Sequence, residues 1–431
     1  MSDSPASPRR GLRSLLVDLE PVRRDRDFRM LWLGQLVNGL GRQVTVVALP
    51  FELWQLTHSS LSIGLLALVQ LVPILIFSLG GGAVADAVDR RLLLLGTQAL
   101  LAASSLCLVV LAAQSAPPIW AFYVVAFIAA GIGAVDQPTR TSAIPRLVPR
   151  ERVQAAIAVN WLSGQTVSVA GPVAAGILIA TAGVATAFAF DVVTFMASLL
   201  ALFLIAPIPP HPGASRPSLH SIAEGLRFAR DRRIVMGTFA IDLDAMIFGM
   251  PSSLFPQLAL TVFNTGAAGY GLLNAAPAIG ALAAAAFSGW LNRVRRPGRG
   301  VIAAVAGWGI AIVGFGLLTA SFPLALVCLA VAGAADVVSA VLRASIVQLA
   351  TPDRIRGRVS SIHSLVVTSG PRLGDAEAAG VAALAGPQFS VLSGGVMCLL
   401  GLLVVVRRFP EMLGYELDHT ALDSLVPDPS A

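Results

Sequence analysis

The sequence predicts an all-α membrane protein with twelve transmembrane helices in two six-helix halves. The first observation is composition: the 431 residues are 56% hydrophobic and 13% charged, with a mean hydropathy of +0.78, whereas soluble domains carry about 25% charged residues. The second is a series of twelve apolar runs, each close to the ~20 residues that cross a bilayer as a helix. The third is one long polar segment, 207–233, with six runs on either side of it.

The predicted spans follow from the apolar runs and from the polar breaks between them. In chain order they cover residues 30–54, 61–85, 92–113, 118–142, 153–179, 184–206, 234–262, 270–291, 301–319, 322–347, 360–385 and 388–406. The breaks alternate in charge, because 26 of the 30 arginines lie in the N-terminal arm, in every second break or directly after the last span. Arginine-bearing loops stay in the cytoplasm, so both termini are predicted to be cytoplasmic.

The spans and breaks define five segments. We expect a cytoplasmic N-terminal arm over 1–29, six-helix halves over 30–206 and 234–407, a cytoplasmic linker over 207–233 and a cytoplasmic tail over 408–431. The arm lacks the apolar core and cleavage site of a signal peptide, and 219–232 has the spacing of a short amphipathic helix. The halves echo each other, since Arg140 and Arg343, 203 positions apart, are each followed by a proline nine residues later. Two related halves around a midplane site are typical of a secondary transporter.

Composition also excludes several functions. All 30 basic residues are arginine, which excludes a Walker A loop, a Schiff-base lysine and the ATP lysine of kinases. The arginines form short clusters between apolar runs, so the net charge of +6 indicates membrane topology and not nucleic-acid binding. Cys107, Cys328 and Cys398 lie in apolar runs without CxxC or Cys/His spacing. We therefore expect no disulfide, no metal, no cofactor and no enzymatic activity.

The end of span two and the break after it contain Gly82, Asp86, Arg90 and Arg91. This pattern resembles the loop signature of the major facilitator superfamily, although Asp89 stands where that signature has a second glycine. A glycine lets helix ends pack closely, and an aspartate beside arginines can form charged contacts that break and re-form during a conformational cycle. The resemblance implies the major facilitator fold, with these four residues as a conformational latch.

Span five contains Gly171, Pro172 and Gly176. The segment is similar to the glycine-proline motif of exporters in this superfamily, where a proline bends the helix and small residues let a neighbour approach. The motif favours export.

A closer resemblance covers almost the whole chain. Its motifs are FRMLWLGQ at 28–35, GRQVT at 41–45 with ALP at 48–50, DQPTR at 136–140 and GPRLGDAE at 370–377. Together they resemble the enterobactin-exporter-like, or transmembrane secretion effector, branch. The resemblance implies proton-coupled export of a siderophore or an amphiphilic drug from a bacterial cell. The implied partners are a small-molecule substrate, protons and the lipid bilayer of the inner membrane, and we expect a monomer.

Charged residues at bilayer depth are costly and usually face a cavity or a partner. The candidates for proton coupling are Asp242, Asp375, Glu377, Arg42 and Arg372. Asp242 and Asp244 diverge by about 200° on one helix, and Asp242 is preferred. Arg372 and Asp375 share a helix face and can pair. Two interpretations stay open: a structural charge cluster that fixes span eleven, or a carboxylate that releases its proton when substrate arrives.

Other polar residues in the spans have simpler expected roles. Asp136 and Arg140 are four apart, and Asp336 and Arg343 are seven apart, so each pair is predicted to be a structural charge pair. Polar side chains can line a cavity or bind helices together. The candidates for a substrate cavity are Asn38 and Gln165.

These observations predict a secondary active transporter that exports a siderophore-like or amphiphilic small molecule, with drug efflux included. One alternative is an importer or facilitator of a small solute, because the glycine-proline motif does not fix direction. An alternative of another class is a polytopic membrane enzyme or sensor, which would need a catalytic cluster at one membrane face.

Overall fold

The computed structural model describes residues 18–209, 227–287, 289, 291 and 294–416, without the side chains of 78–87, 353 and 354. All long elements in this part of the chain are α-helices. The N-terminal part, 18–209, contains α1 (Glu20–Arg24), α2 (Arg26–Thr57), α3 (Ser60–Ala87), α4 (Arg90–Ala112), α5 (Ile119–Ala143), α6 (Val153–Ala182) and α7 (Val184–Phe203). Two 3-10 turns, Ile144–Arg146 and Arg150–Arg152, connect α5 to α6.

The C-terminal part covers the described residues from 227 onward. It contains α8 (Arg233–Phe248), α9 (Gly266–Ala286), α10 (Pro297–Leu317), α11 (Phe322–Ala350), α12 (Asp353–Ala385), α13 (Pro387–Arg408) and α14 (Glu411–Gly414). A broken stretch after α8 consists of a 3-10 turn at Ser252–Leu254, one α-turn at Phe255–Gln257 and a π-helix at Leu258–Val262. The amphipathic helix predicted over 219–232 lies mostly outside the described residues, of which 227–231 are helical.

Among the described residues, ten helical segments are long and apolar enough to cross a membrane. The other two long helices, α2 and α12, have 32 and 33 residues, which also suffices to span a bilayer. Their polar residues, including Asn38, Arg42, Arg372 and Asp375, lower their hydropathy. Helices α2 and α12, which are not among the ten segments selected by length and apolar composition, therefore carry many of the predicted site residues.

Local sequence explains where several helices begin and end. Asp89 caps α4, because its carboxylate accepts hydrogen bonds from the backbone amides of Arg91 at 2.8 Å and Leu92 at 3.2 Å. Gly183 and Gly386 adopt φ of 81° and 88°, a region that favours glycine, and they separate α6 from α7 and α12 from α13. These two glycines are also 203 positions apart, the spacing of the Arg140 and Arg343 echo.

Successive long helices run in opposite directions, so the arginine-bearing breaks lie at one end of the bundle. We call it the arginine-rich end: α4 begins there at Arg90, α8 begins there at Arg233 and α13 ends there at Arg408. The opposite end, where α2 finishes at Thr57, is the arginine-poor end.

The buried apolar residues are distributed unequally between these ends. Towards the arginine-poor end one large cluster contains residues of both parts, among them Phe51 and Phe315. Towards the arginine-rich end, one cluster around Phe28 belongs entirely to the N-terminal part, and two around Ile241 and Val235 belong to the C-terminal part. Among the described residues, the two parts share a core at the arginine-poor end and have separate cores at the other.

Contacts between the parts follow the same distribution. Helix α6 packs along α9, and α3 packs along α12. At the arginine-poor end the buried Tyr270 hydroxyl donates to the carbonyl of Val47 at 2.9 Å, and the Tyr270 ring stacks on Phe51 with centroids 5.3 Å apart. Nearby, Ser60 Oγ donates to Gln257 Oε1 at 2.6 Å. Polar and aromatic contacts therefore join the two parts at this end.

Candidate substrate and coupling site

A cavity of about 110 Å³ lies among α2, α4, α5 and α6 of the N-terminal part. Its lining combines aromatic, amide and charged side chains, and includes Trp32, Gln35, Asn38, Arg42, Gln98, Asp136, Arg140, Asn160 and Ser163. Asn38, one of the two residues predicted for a substrate cavity, belongs to this lining. Gln165 does not belong to the lining, although Gly164 and Val167 on either side of it do.

Asp136 is the centre of a buried hydrogen-bond network in this cavity wall. Its carboxylate is 1% exposed and accepts from Arg140 Nε at 2.6 Å, Thr97 Oγ1 at 2.6 Å and Gln98 Nε2 at 3.1 Å. Asn38 Nδ2 donates in turn to Gln98 Oε1 at 2.5 Å. The charge of Asp136 is thus compensated by a cation on its own helix and by two donors on α4.

Arg42 reaches into the same cavity from the middle of α2. Its Nη2 lies 3.1 Å from the point where a Cβ on Gly133 would stand, so the glycine leaves room for the guanidinium. Arg42 is exposed and interacts electrostatically with Asp191 and with Arg372 of the other part. Its charge therefore acts on residues of both parts.

Asp191 on α7 is a buried intramembrane carboxylate that the sequence interpretation missed. It is 1% exposed and accepts hydrogen bonds from Thr45 Oγ1 and Ser105 Oγ, both at 2.7 Å. The available signal was a lone aspartate in an apolar run, about two turns from the start of the predicted span 184–206. Its hydroxyl partners lie on other helices, so spacing along α7 gives no sign of them.

The C-terminal part holds a second charge network. Asp242 is fully buried, and its carboxylate lies 2.5 Å from Arg343 Nη1, while Asp336 lies 3.7 Å from Arg343 Nη2. His363 stacks on Phe239 with ring centroids 5.8 Å apart. Arg343 therefore joins two carboxylates from α8 and α11.

Asp244 points away from this network. A Cβ on Gly401 of α13 would overlap the Asp244 carboxylate, so the glycine admits the side chain between α8 and α13. The two aspartates of α8 thus have different neighbours, as their spacing of two residues requires.

The charged residues of α12 contact other helices. Asp375 accepts from Ser252 Oγ at 2.5 Å and from the Ser253 amide at 2.8 Å, both in the broken stretch after α8. Arg372 Nη1 donates to Gln70 Oε1 on α3, which joins the two parts. Among the described residues Arg372 and Asp375 do not form an ion pair with each other, and Glu377 is half-buried.

Two of the four predicted latch residues, Gly82 and Asp86, lie in 78–87, where the structure describes the backbone alone. The other two tie helix ends together within the N-terminal part. Arg90 Nε donates to Ser142 Oγ at 3.1 Å. Arg91 donates to the carbonyls of Leu202 at 3.0 Å and Phe203 at 2.8 Å.

The glycine-proline segment of α6 lies at close helix contacts. A Cβ on Gly171 would lie 2.5 Å from Cβ and Cγ of Gln43 on α2. A Cβ on Gly176 would lie 2.9 Å from the Ala267 carbonyl and 3.0 Å from the Gly271 Cα on α9. Pro172 lies inside α6 between these contacts. The segment therefore packs against α2 on one side and against the C-terminal part on the other.

The family model described as transmembrane secretion effector matches residues 17–428. The enterobactin exporter EntS of Citrobacter koseri is 28% identical over 407 residues, which cover 92% of this chain and 97% of that protein. The enterobactin exporter EntS of Escherichia coli O139:H28 is 29% identical over 408 residues, with the same coverage of 92% and 97%.

Solved structures show the same fold at low identity. A POT family transporter in complex with 5-aminolevulinic acid superposes with a TM-score of 0.72 at 12% identity, covering 90% of this chain and 97% of the other. A bacterial homologue of the iron transporter ferroportin, in an inward-facing state, superposes with a TM-score of 0.70 at 15% identity. The match covers 90% of this chain and 99% of the other. The family match confirms the resemblance that the motifs indicated. The chain belongs to the transmembrane secretion effector family of the major facilitator superfamily, a family of multi-pass membrane transporters.

Proposed function

We propose that this protein is a proton-coupled secondary transporter that secretes a siderophore-like or amphiphilic small molecule across the inner membrane of a bacterial cell. Two full-length relatives are named enterobactin exporters, which supports secretion and the siderophore class. The proposed arrangement has twelve spans in two six-helix halves, 30–206 and 234–407. The arm, linker and tail lie in the cytoplasm, and the protein acts as a monomer.

The observation that carries the proposal is the unequal packing of the two parts. They share one apolar core at the arginine-poor end and have separate cores at the arginine-rich end. If the arginine-rich end faces the cytoplasm, as the positive-inside rule predicts, this conformation admits substrate from inside the cell. Secretion then requires the opposite conformation, in which the shared core separates and the arginine-rich end closes.

Proton coupling is proposed for the charged residues at the junction of the parts. Arg42 and Arg372 come from different parts and repel each other, while Asp375 accepts hydrogen bonds from the break after α8. A change of charge on Asp375 would alter the strength of its hydrogen bonds with Ser252 and Ser253 in that broken stretch. A similar argument applies to Asp242, whose charge Arg343 compensates, and Glu377 is a third candidate. The latch role of Gly82, Asp86, Arg90 and Arg91 remains part of the proposal.

The first test compares iron-starved culture medium from cells with and without this gene. Loss of a secreted siderophore from the medium, with accumulation inside the cells, is the expected result. An unchanged medium would contradict siderophore secretion, and dye and antibiotic accumulation would then test drug efflux.

The second test reconstitutes the purified protein in liposomes and imposes a pH gradient. Transport of the molecule identified in the first test should follow the gradient and stop when the gradient is dissipated. Transport that ignores the gradient would contradict proton coupling and would favour a facilitator.

A further inference from the structure

The cavity of the N-terminal part presents guanidinium groups whose hydrogen-bonding capacity is not used up by the protein. We propose that this cavity binds an anionic oxygen-bearing group, such as a carboxylate, of the transported molecule through Arg42 and Arg140. The inference rests on the proposed function and specifies the chemistry of its substrate.

Only one edge of the Arg140 guanidinium is bound by a described residue. Its Nε donates to Asp136 at 2.6 Å and its side chain is 5% exposed. No described residue accepts a hydrogen bond from its buried Nη1. A guanidinium offers five N–H donors in a planar fork that matches the two oxygens of a carboxylate. Because Asp136 fixes the orientation of the side chain, the remaining donors are arranged before a ligand arrives.

Arg42 supplies a second cation to the same cavity. Among the described residues it has no ion pair, and the nearby Asp191 is already hydrogen-bonded by Thr45 and Ser105. The like charge of Arg372, from the C-terminal part, adds to the positive potential at this position. A guanidinium without an ion pair, next to a second cation, is stabilised by an anion that reaches it.

The acidic residue of the cavity does not oppose this interpretation. Asp136 directs both oxygens to donors of the protein itself, namely Arg140, Thr97 and Gln98. The charged groups left for a ligand are therefore cationic.

The size of the cavity limits which part of a molecule enters it. Its volume is about 110 Å³, whereas a cavity of about 150 Å³ accommodates a benzene ring. A carboxylate therefore fits beside the indole of Trp32, which is held by a 2.6 Å hydrogen bond from Nε1 to Ser163 Oγ, while a ring attached to it, as in benzoate, would lie outside the cavity. The rest of a larger substrate would lie outside it, between the two parts.

The test uses two small probes of nearly the same shape, benzoate and its neutral analogue benzamide. Each is titrated into the purified full-length protein in lipid nanodiscs, and binding is followed by saturation-transfer NMR. Benzoate should bind at least tenfold more tightly than benzamide. Arg42→Gln should weaken benzoate binding tenfold or more and leave benzamide binding unchanged.

Arg140→Lys is the conservative variant for the second arginine. Lysine keeps the positive charge beside Asp136 and removes the second donor edge, so benzoate binding should again fall tenfold or more in a protein that stays folded. The matched control is Arg146→Gln, since Arg146 is exposed at the arginine-rich end and lies outside the cavity lining. This control should bind benzoate like the unaltered protein.

Three results would overturn the inference: no benzoate binding, equal affinity for the two probes, or unaltered benzoate binding by both Arg42→Gln and Arg140→Lys. The secretion assay in cells separates this inference from the proposed function. Secretion without selective benzoate binding rejects the anion site alone, whereas selective binding without secretion rejects the proposed function and leaves the anion site standing.

Discussion

Gly176 of α6 and Gly271 of α9 pack backbone against backbone across the junction of the two parts. A Cβ on Gly271 would lie 2.6 Å from the Pro172 carbonyl oxygen and 2.9 Å from the Gly176 Cα. Backbone approach of this kind needs small residues on both helices. The glycine-proline segment of α6 is thus a contact surface between the parts as well as a local feature of one helix.

Gly271→Ala should lower both stability and transport. The methyl group has no room and must push α6 and α9 apart, and such overpacking costs about 1–3 kcal/mol. Gly96→Ala is the control, because a Cβ there meets no atom within 4 Å. Thermal unfolding in detergent and transport in liposomes should both change for Gly271→Ala alone, and equal behaviour of the two variants would refute the close contact.

Tyr270→Phe should favour opening of the arginine-poor end. The substitution removes the hydrogen bond to Val47 between the parts, which is worth about 1 kcal/mol, or roughly a fivefold change in population. A maleimide reagent should then label a cysteine introduced at Phe255, which is buried there, about fivefold faster.

The control for that experiment is Tyr123→Phe. The Tyr123 hydroxyl also donates to a carbonyl, that of Ser62 at 3.1 Å, but both residues belong to the N-terminal part. Its loss should not change the labelling rate. Equally faster labelling in both variants would mean that the Tyr270 hydrogen bond does not specifically hold the arginine-poor end together.

Arg343→Leu should destabilise the protein strongly, by about 3–5 kcal/mol, because it leaves the buried Asp242 carboxylate without its cation. Adding Asp242→Asn should recover much of the loss, since the remaining amide carries no charge. Thermal unfolding of the single and double variants measures the difference. A double variant that is less stable than Arg343→Leu would show that the ion pair is not the source of the effect.

Asp375→Asn should abolish the dependence of transport on an imposed pH gradient. Asparagine keeps an acceptor for Ser252 but carries no charge to titrate, so the protein should remain folded. Asp244→Asn tests specificity, because Asp244 packs against Gly401 on the other face of α8. Gradient-driven transport should persist in Asp244→Asn, and its persistence in Asp375→Asn would remove Asp375 from the coupling mechanism.

Contacts along one helix were accessible from the sequence, whereas contacts between helices were not. The spacing of four residues predicts that Asp136 and Arg140 share one face of α5, and Arg140 Nε lies 2.6 Å from Asp136 Oδ2. By contrast, Arg372 contacts Gln70 of α3 instead of Asp375 on its own helix. The rotation of a spanning helix is set by its neighbours, and periodicity within that helix does not determine it.

Asp191 shows the same limit most clearly. Its buried position is stabilised by hydroxyls of α2 and α4, whose proximity depends on the packing of three helices. The apolar runs, by contrast, reflect contact with lipid directly in composition, so most predicted spans match a long helix to within several residues. The span predicted over 234–262 is the exception, because α8 ends at Phe248 and a 3-10 turn, one α-turn and a π-helix follow it. The exceptions in composition, α2 and α12, are the helices that carry polar residues to the interior.

The shared apolar core at the arginine-poor end also has an electrical consequence. Phe51, Tyr270 and Phe315 belong to this core of apolar side chains, and moving an ion through apolar packing is very costly. We therefore expect this core to block the passage of ions through the protein in this conformation. The voltage across the membrane should then stay intact before substrate binds.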